Sequence, residues 1–240
     1  MPTPVKLPAR VTDIQGHSDS LRSFTLSPER RPPPFRAGQF LHLALDCWDP
    51  SAHWPESRVF SIASSPLERE QLRITVSRQG AFTTRMFQEL AVGSTVWLKL
   101  PYGDFCPGAT LRGPAVLMAG GSGVTPFISF LLWASVREPK ALVDLHYGAR
   151  TPRLLIYRDV ISSCSERMSN LTAHYYSETG EPAEGLHIAR LSVERAWKAL
   201  RDPLSSRFYL SGPKAMIDAF RQDLLARGTQ PDNVLSDDWG

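Results

Sequence analysis

Along the first hundred residues, apolar and polar positions alternate in short runs broken by turn residues. Residues 21–26, 39–45, 72–77 and 95–100 each carry this period of two, which sends successive side chains to opposite faces of a strand. Ser27-Pro28, Pro32-Pro33-Pro34 and Trp48-Asp49-Pro50 fall between the runs. They read as loop chemistry, because proline cannot donate to a sheet ladder. One short helix is expected over 84–90. The pattern is that of an antiparallel barrel or sandwich.

After Tyr102-Gly103-Asp104-Phe105 the character changes. Apolar strands are expected at 115–119, 142–147, 171–176 and 207–210, and helices at 126–136, 193–200 and 215–227. Strand alternating with helix implies a parallel, doubly wound α/β sheet with right-handed crossovers. The Gly- and Pro-containing stretch at 108–113 divides the chain into two domains, 1–110 and 111–240.

Composition narrows the class. The chain has 240 residues and is 42% apolar, enough to fill two cores. It contains no run of 18 uncharged apolar residues, and Lys6, Arg10 and Asp13 stand among polar neighbours near the start. Neither a membrane span nor a signal peptide is expected, and the cytoplasm is the expected location. Cys47, Cys106 and Cys164 lie far apart, without the spacing of an iron–sulfur or other metal site. A formal charge of +3 is too small and dispersed to imply nucleic acid. Of the 27 basic residues only five are Lys, and the Arg bias suits phosphate recognition without demanding it.

The strongest local signal is Met118-Ala119-Gly120-Gly121-Ser122-Gly123-Val124-Thr125-Pro126, between an apolar strand and an apolar helix. Its glycines allow a tight turn and close approach to a pyrophosphate, and the helix start supplies unpaired N–H groups. Thr125 is expected to cap this helix and Pro126 to take its first position. The segment departs from GxGxxG, since Pro126 stands at the third glycine, and Asp144 lies inside the next strand rather than at its end. In the first domain, alternation puts Arg58 and Phe60 on one strand face and Ser61 on the other. An arginine beside an aromatic suits a phosphate next to a flat ring, although a surface Arg beside a buried Phe has the same pattern. Gln79-Gly80-Ala81-Phe82-Thr83-Thr84 opens the short helix and offers either a second phosphate contact or an ordinary cap. Phe208-Tyr209-Leu210-Ser211-Gly212-Pro213 again runs from strand to helix, with Ser211 at the carboxyl edge of the sheet.

Taken in order, Arg58–Ser61, Gly80–Thr83, Gly120–Pro126 and Ser211–Pro213 closely resemble the ferredoxin–NADP reductase family of flavoproteins, a likeness that covers almost the entire chain. Phe35-Arg36-Ala37-Gly38-Gln39-Phe40, Gly93 and Tyr102-Gly103-Asp104-Phe105 also fall in family positions. The resemblance implies an N-terminal β-barrel that binds FAD and a C-terminal α/β domain that binds NADH or NADPH. It implies that Arg58 holds the FAD pyrophosphate, Phe60 stacks on the isoalloxazine and Ser61 stands near flavin N5. Gly80 and Thr83 then form a second pyrophosphate contact, with Val59, Thr75, Ser77 and Phe82 in the same flavin-binding set. Gly120, Gly121, Gly123, Val124, Thr125 and Pro126 line the nicotinamide nucleotide, and Gly212 and Pro213 lie beneath the nicotinamide. Many relatives have Cys at Ser211, so the resemblance implies that Ser211→Cys is tolerated, with hydride transfer unchanged or faster. It also places an aromatic, here Trp239, over the flavin as a gate.

The implied activity is transfer of hydride from NAD(P)H to bound FAD and onward to a separate acceptor, whether a ferredoxin, a flavodoxin-like protein, an oxygenase component or a small molecule. Such chemistry needs stacked rings and excluded water rather than a protein acid or base. His17, His42, His53, His146, His174 and His187 accordingly read as isolated structural or exposed residues. Ser177-Glu178 stands where NADP-binding relatives carry Ser-Arg, which favours NADH, while Arg150 and Arg153 pull toward NADPH. Two rival readings are a free-flavin reductase and a non-catalytic nucleotide-binding module.

Overall fold

The computed structural model describes residues 3–109, 111 and 113–237. The chain divides into two compact units between Cys106 and Pro107, just ahead of the 108–113 stretch.

The first unit contains β1 (Val5–Ser18), β2 (Leu21–Pro28), β3 (Phe40–Ala44), β4 (Ser57–Ser61), β5 (Leu72–Ser77), α1 (Ala81–Glu89) and β6 (Thr95–Tyr102). All its ladders are antiparallel, in the order β4-β3-β6-β1-β2-β5. The end strands β4 and β5 come into contact and nearly close a barrel. Every second residue points inward: Leu7, Ala9 and Val11 on β1, Leu41 and Leu43 on β3, Leu72, Ile74 and Val76 on β5. The amphipathic helix α1 adds Phe82, Met86 and Phe87 to the same core. Each large side chain so buried contributes about 1.5–3 kcal/mol.

Three local expectations are corrected. Strand β1 is absent from the sequence reading, although Leu7, Ala9 and Val11 alternate, because Pro8 breaks the apparent pattern. Pro8 is accommodated by pairing with Trp97 of β6, while its carbonyl accepts from Glu29 N–H. Ser27 and Pro28, expected in a loop, finish β2, where a last residue needs no further ladder donor. Helix α1 starts at Ala81 rather than near Thr84, since Thr83 Oγ1 reaches back to accept the N–H groups of Gln79 (2.9 Å) and Gly80 (3.1 Å).

The second unit contains β7 (Ala115–Gly120), α2 (Thr125–Arg137), β8 (Val143–Ala149), α3 (Arg158–Ser165), β9 (Leu171–Ser177), β10 (Leu186–Ile188), α4 (Val193–Ala199), β11 (Arg207–Ser211), α5 (Lys214–Ala226) and β12 (Val234–Ser236). The sheet is parallel throughout, in the order β10-β9-β8-β7-β11-β12. From β7 the chain steps outward through β8, β9 and β10, then returns to the other side of β7 as β11. The strand order therefore reverses between β7 and β11, and open α/β sheets bind ligands at the carboxyl ends beside such a reversal. Helix α2 packs on α3, and α4 on α5, as right-handed crossovers in two opposite directions require.

Helix α3 escaped the sequence reading because four of its eight residues, Asp159, Ser162, Ser163 and Ser165, favour caps and turns over helix interiors. The expected cap of α2 is also corrected. Gly121–Val124 winds as a 3₁₀ turn that runs directly into α2, so Thr125 is the first helical residue and Pro126 the second. Thr125 Oγ1 donates to the Ser122 carbonyl at 2.6 Å instead of accepting from the helix start.

Candidate functional site

In the first unit, β4 and α1 bring together two phosphate-binding candidates that lie over twenty positions apart. Arg58 and Phe60 stand opposite Leu43 and Leu41 in the β3–β4 ladder, so they share one face, while Ser61 pairs with Phe40. The Arg58 guanidinium lies over the Phe82 ring, 5.2 Å from its centroid. Phe82 is the second residue of α1, so the guanidinium stands beside a helix start whose first N–H groups have no intrahelical acceptor. Gly80 has an extended backbone, and a Cβ added there meets nothing within 4 Å. Its missing side chain leaves open space above the helix start, which fits a bound pyrophosphate. In this structure Arg58 is held by Glu56 at 2.9 Å and donates to the Ser57 carbonyl at 2.9 Å, with about half its side chain exposed.

The remaining flavin-set residues divide. Phe60 is partly buried against the barrel core. Phe82 is buried in that core, so it supports Arg58 from below. Thr75 is buried in the β2–β5 wall and shares a 2.8 Å hydrogen bond with Ser23, whose hydroxyl lies 2.9 Å from His17 Nε2. Ser77 closes β5, three residues before Gly80, and Val59 pairs with His42 on the face opposite Arg58.

In the second unit, the turns after β7 and β11 meet at the strand-order reversal. A Cβ on Gly123 would stand 2.4 Å from the Ser211 carbonyl oxygen and 2.5 Å from Gly212 N, distances no side chain tolerates. Gly120 is packed less tightly, an added Cβ standing 2.7 Å from Met216 Sδ and 3.0 Å from Pro213 Cδ, and a Cβ on Gly212 would lie 3.1 Å from the Gly120 backbone. Gly121 differs, for it takes a left-handed φ of +56° and a Cβ there meets only open space. Glycines 120 and 123 thus let two turns touch, and Gly121 leaves room for a ligand at the α2 entrance. Ser211 is buried, and its hydroxyl donates to Asp237 Oδ2 at 3.1 Å. Asp237 is itself buried and tied to β11 through its N–H, which donates to the Leu210 carbonyl.

At the neighbouring carboxyl ends of β8 and β9 the expected coenzyme-selecting residues separate. Ser177 is fully buried and its hydroxyl donates to the Thr179 carbonyl at 2.6 Å. It therefore faces the protein, contrary to its expected contact with the nucleotide. Glu178 is exposed and pairs with Arg190 at 3.8 Å, while Arg150 and Arg153 are also exposed. Thr179 N–H and Oγ1 both donate to the Arg150 carbonyl, so the two loops are fastened together.

The profile of the family described as "Oxidoreductase NAD-binding domain" matches residues 117–222. The chain is 30% identical over 254 aligned positions to "Oxidoreductase NAD-binding domain-containing protein 1" of Danio rerio, covering 96% of this chain and 91% of that protein. The chain belongs to the ferredoxin–NADP reductase family. It is also 29% identical to the "Propane 2-monooxygenase, reductase component" of Rhodococcus jostii, over 95% of this chain and 62% of that one. A ferredoxin NADP+ reductase from Neisseria gonorrhoeae, solved with bound FAD and NADP, shares the fold at TM-score 0.79 and 23% identity, over 97% of this chain and 98% of that one. The chain spans about half the length of several flavohemoproteins that it matches.

Two features are not legible in the sequence: the part played by Asp237 and the convergence of three histidines. Nothing in the spacing links Asp237 to Ser211, 26 positions earlier. Trp239 lies outside the described residues. His146 and His174, read as isolated, stack across β8 and β9, and His187 of β10 stacks on Tyr176 of β9. Among the described residues, no group of three or more His, Cys, Asp and Glu is arranged to hold a metal ion, and no helix is long and apolar enough to cross a membrane.

Proposed function

We propose that this chain is an FAD-binding NAD(P)H oxidoreductase that delivers electrons to a separate acceptor, with NADH as its preferred donor. The observation that carries the reading is the contact of Gly123 with Ser211 and Gly212, which joins two ligand-ready turns at the strand-order reversal. FAD, when bound, supplies the two-electron chemistry, and the protein supplies binding, orientation and shielding. Arg58 and the start of α1 hold the pyrophosphate by charge and N–H donation, and Phe60 backs the flat ring. Gly121 admits the coenzyme pyrophosphate at the start of α2, while Gly212 and Pro213 floor the nicotinamide. The Asp237 carboxylate fixes the Ser211 hydroxyl in one orientation beside that floor. Exposed Glu178 accepts from ribose hydroxyls and repels a 2′-phosphate, which is the basis for NADH.

The reductase-component names of relatives support a protein acceptor, an oxygenase component being the nearest analogy. Purified protein should be yellow with one FAD per chain after gel filtration, and should reduce a dye with NADH. Loss of all flavin on the column with activity restored by added flavin would instead identify a free-flavin reductase. A yellow protein without dye reduction by either nucleotide would leave only a binding module.

A further inference from the structure

Three of the six histidines converge through strand register. His146 of β8 pairs with His174 of β9, and their rings stack at 4.6 Å with an interplanar angle of 9°. Two residues on, Tyr176 pairs with His187 of β10, and those rings stack at 5.1 Å. The twofold period of the strands puts Asp144, His146, His174, Tyr176 and His187 on one sheet face. The stack runs from a sealed centre to an open edge. His146 is fully buried, with Nδ1 at 3.1 Å from the Tyr176 hydroxyl and Nε2 without a partner. His174 is about a quarter exposed and lies 4.0 Å from Asp144, and His187 is exposed. Leu191, between β10 and α4, presses over Gly148, where an added Cβ would stand 2.7 Å from its own. Residues 186–192 thereby close this end of the face. From α4, Arg195 directs its charge at Tyr176, and β7 contributes the apolar Val116 and Met118.

We propose that this imidazole stack is an acid-operated latch of the nucleotide-binding unit, whose protonation frees β10 and the 189–192 linker and loosens the end of β9 that carries Glu178. The coenzyme half of the proposal rests on the reading of Glu178 given above.

The physical basis is the cost of placing a proton among packed neutral rings. A protonated His146 would bury its charge with only a tyrosine hydroxyl beside it, and a protonated His174 would set a cation against a ring at 4.6 Å. Burial first, and then the neighbouring imidazoles, holds His146 down to about 3. Burial also lowers His174, against the pull of Asp144. Both groups therefore bind protons more readily in the opened form, so closure is most stable above the ordinary histidine value of 6.5 and is lost progressively as pH falls below it. Each imidazole kept neutral by closure shifts the opening equilibrium about tenfold per pH unit in that range. β10 is the place to yield, being a three-residue edge strand.

Hydrogen exchange of the FAD-loaded protein, without nucleotide, at pH 7.5 and 5.5 tests the latch once rates are corrected for intrinsic exchange. Protection of peptides within 171–192 should fall at least about tenfold in the wild type. The fall should shrink in His146→Met and in His174→Asn, the second variant lying at a partly exposed position that puts folding at less risk. Unchanged wild-type protection, or an undiminished fall in both variants, overturns the proposal. Calorimetric titration with NAD+ at the same two pH values reads the coupling: affinity should drop with protection in the wild type and less so in His174→Asn. If 171–192 opens with acid but NAD+ binds at neither pH, the latch stands and the functional reading fails.

Discussion

Ser211 Oγ donates to Asp237 Oδ2 at 3.1 Å, and both side chains are buried. This bond turns round the expectation that a thiol is welcome at position 211. A thiol is a weaker donor, so Ser211→Cys weakens this one hydrogen bond to the buried carboxylate. Flavin reduction by NADH in stopped flow should be several-fold slower in Ser211→Cys. Ser211→Ala should destabilise the fold by about 1–3 kcal/mol in urea unfolding, and Ser211→Ala with Asp237→Asn should cost less than the two single changes added. A Cys variant as fast as the wild type would show that the hydroxyl has no special part.

On the proposed reading of the site, Arg58 and Glu56 should shift flavin affinity in opposite directions. Arg58→Ala removes a charge-assisted contact worth about 1.5–3 kcal/mol, so FAD should bind about ten- to a hundredfold more weakly in a fluorescence titration. Glu56 competes for the same guanidinium at 2.9 Å, so Glu56→Gln should bind FAD slightly more tightly. FAD affinity untouched by Arg58→Ala removes the arginine from the site.

The glycines should separate by mechanism. Gly123→Ala drives a Cβ into the backbone of Ser211 and Gly212 and should cost about 3 kcal/mol of stability, read by thermal or urea unfolding. Gly121→Ala meets no atom but holds a left-handed backbone, a cost of about 1–2 kcal/mol. Gly80→Ala has neither problem. Its stability should match the wild type while FAD affinity falls, because the new methyl occupies the space above the α1 start.

Coenzyme choice should follow Glu178. Removing its charge by Glu178→Gln also releases Arg190, its partner at 3.8 Å, so kcat/KM for NADPH should rise relative to NADH. Arg190→Ala in the Glu178→Gln background should reduce that gain. A wild-type protein that already prefers NADPH would assign the 2′-phosphate to Arg150 or Arg153 instead.

Elements with one dominant apolar period were legible in the sequence: β5 was read to its observed bounds, and α2, α4 and α5 to within a residue or so. What escaped depends on partners distant in sequence. β10 and β12 have only three residues and exist because β9 and β11 offer edges to pair with. The glycine loop was legible as a turn, but periodicity gives no sign that Gly120 and Gly123 answer to Pro213, Met216 and Ser211. The Ser177 hydroxyl, chosen from its position after a strand, turns inward because Thr179 offers it a carbonyl acceptor. The histidine stack was hidden for the same reason, since register across three strands is a tertiary fact.

The contact of Gly123 with Ser211 and Gly212 also bears on how the cradle can change over evolutionary time. Neither turn can drift alone: any side chain at position 123 requires the β11–α5 turn to retreat first, and that retreat would carry Ser211 and Gly212 with it. Substitutions there must arrive in pairs. Descendants of this chain that alter the first turn should carry a compensating change in the second.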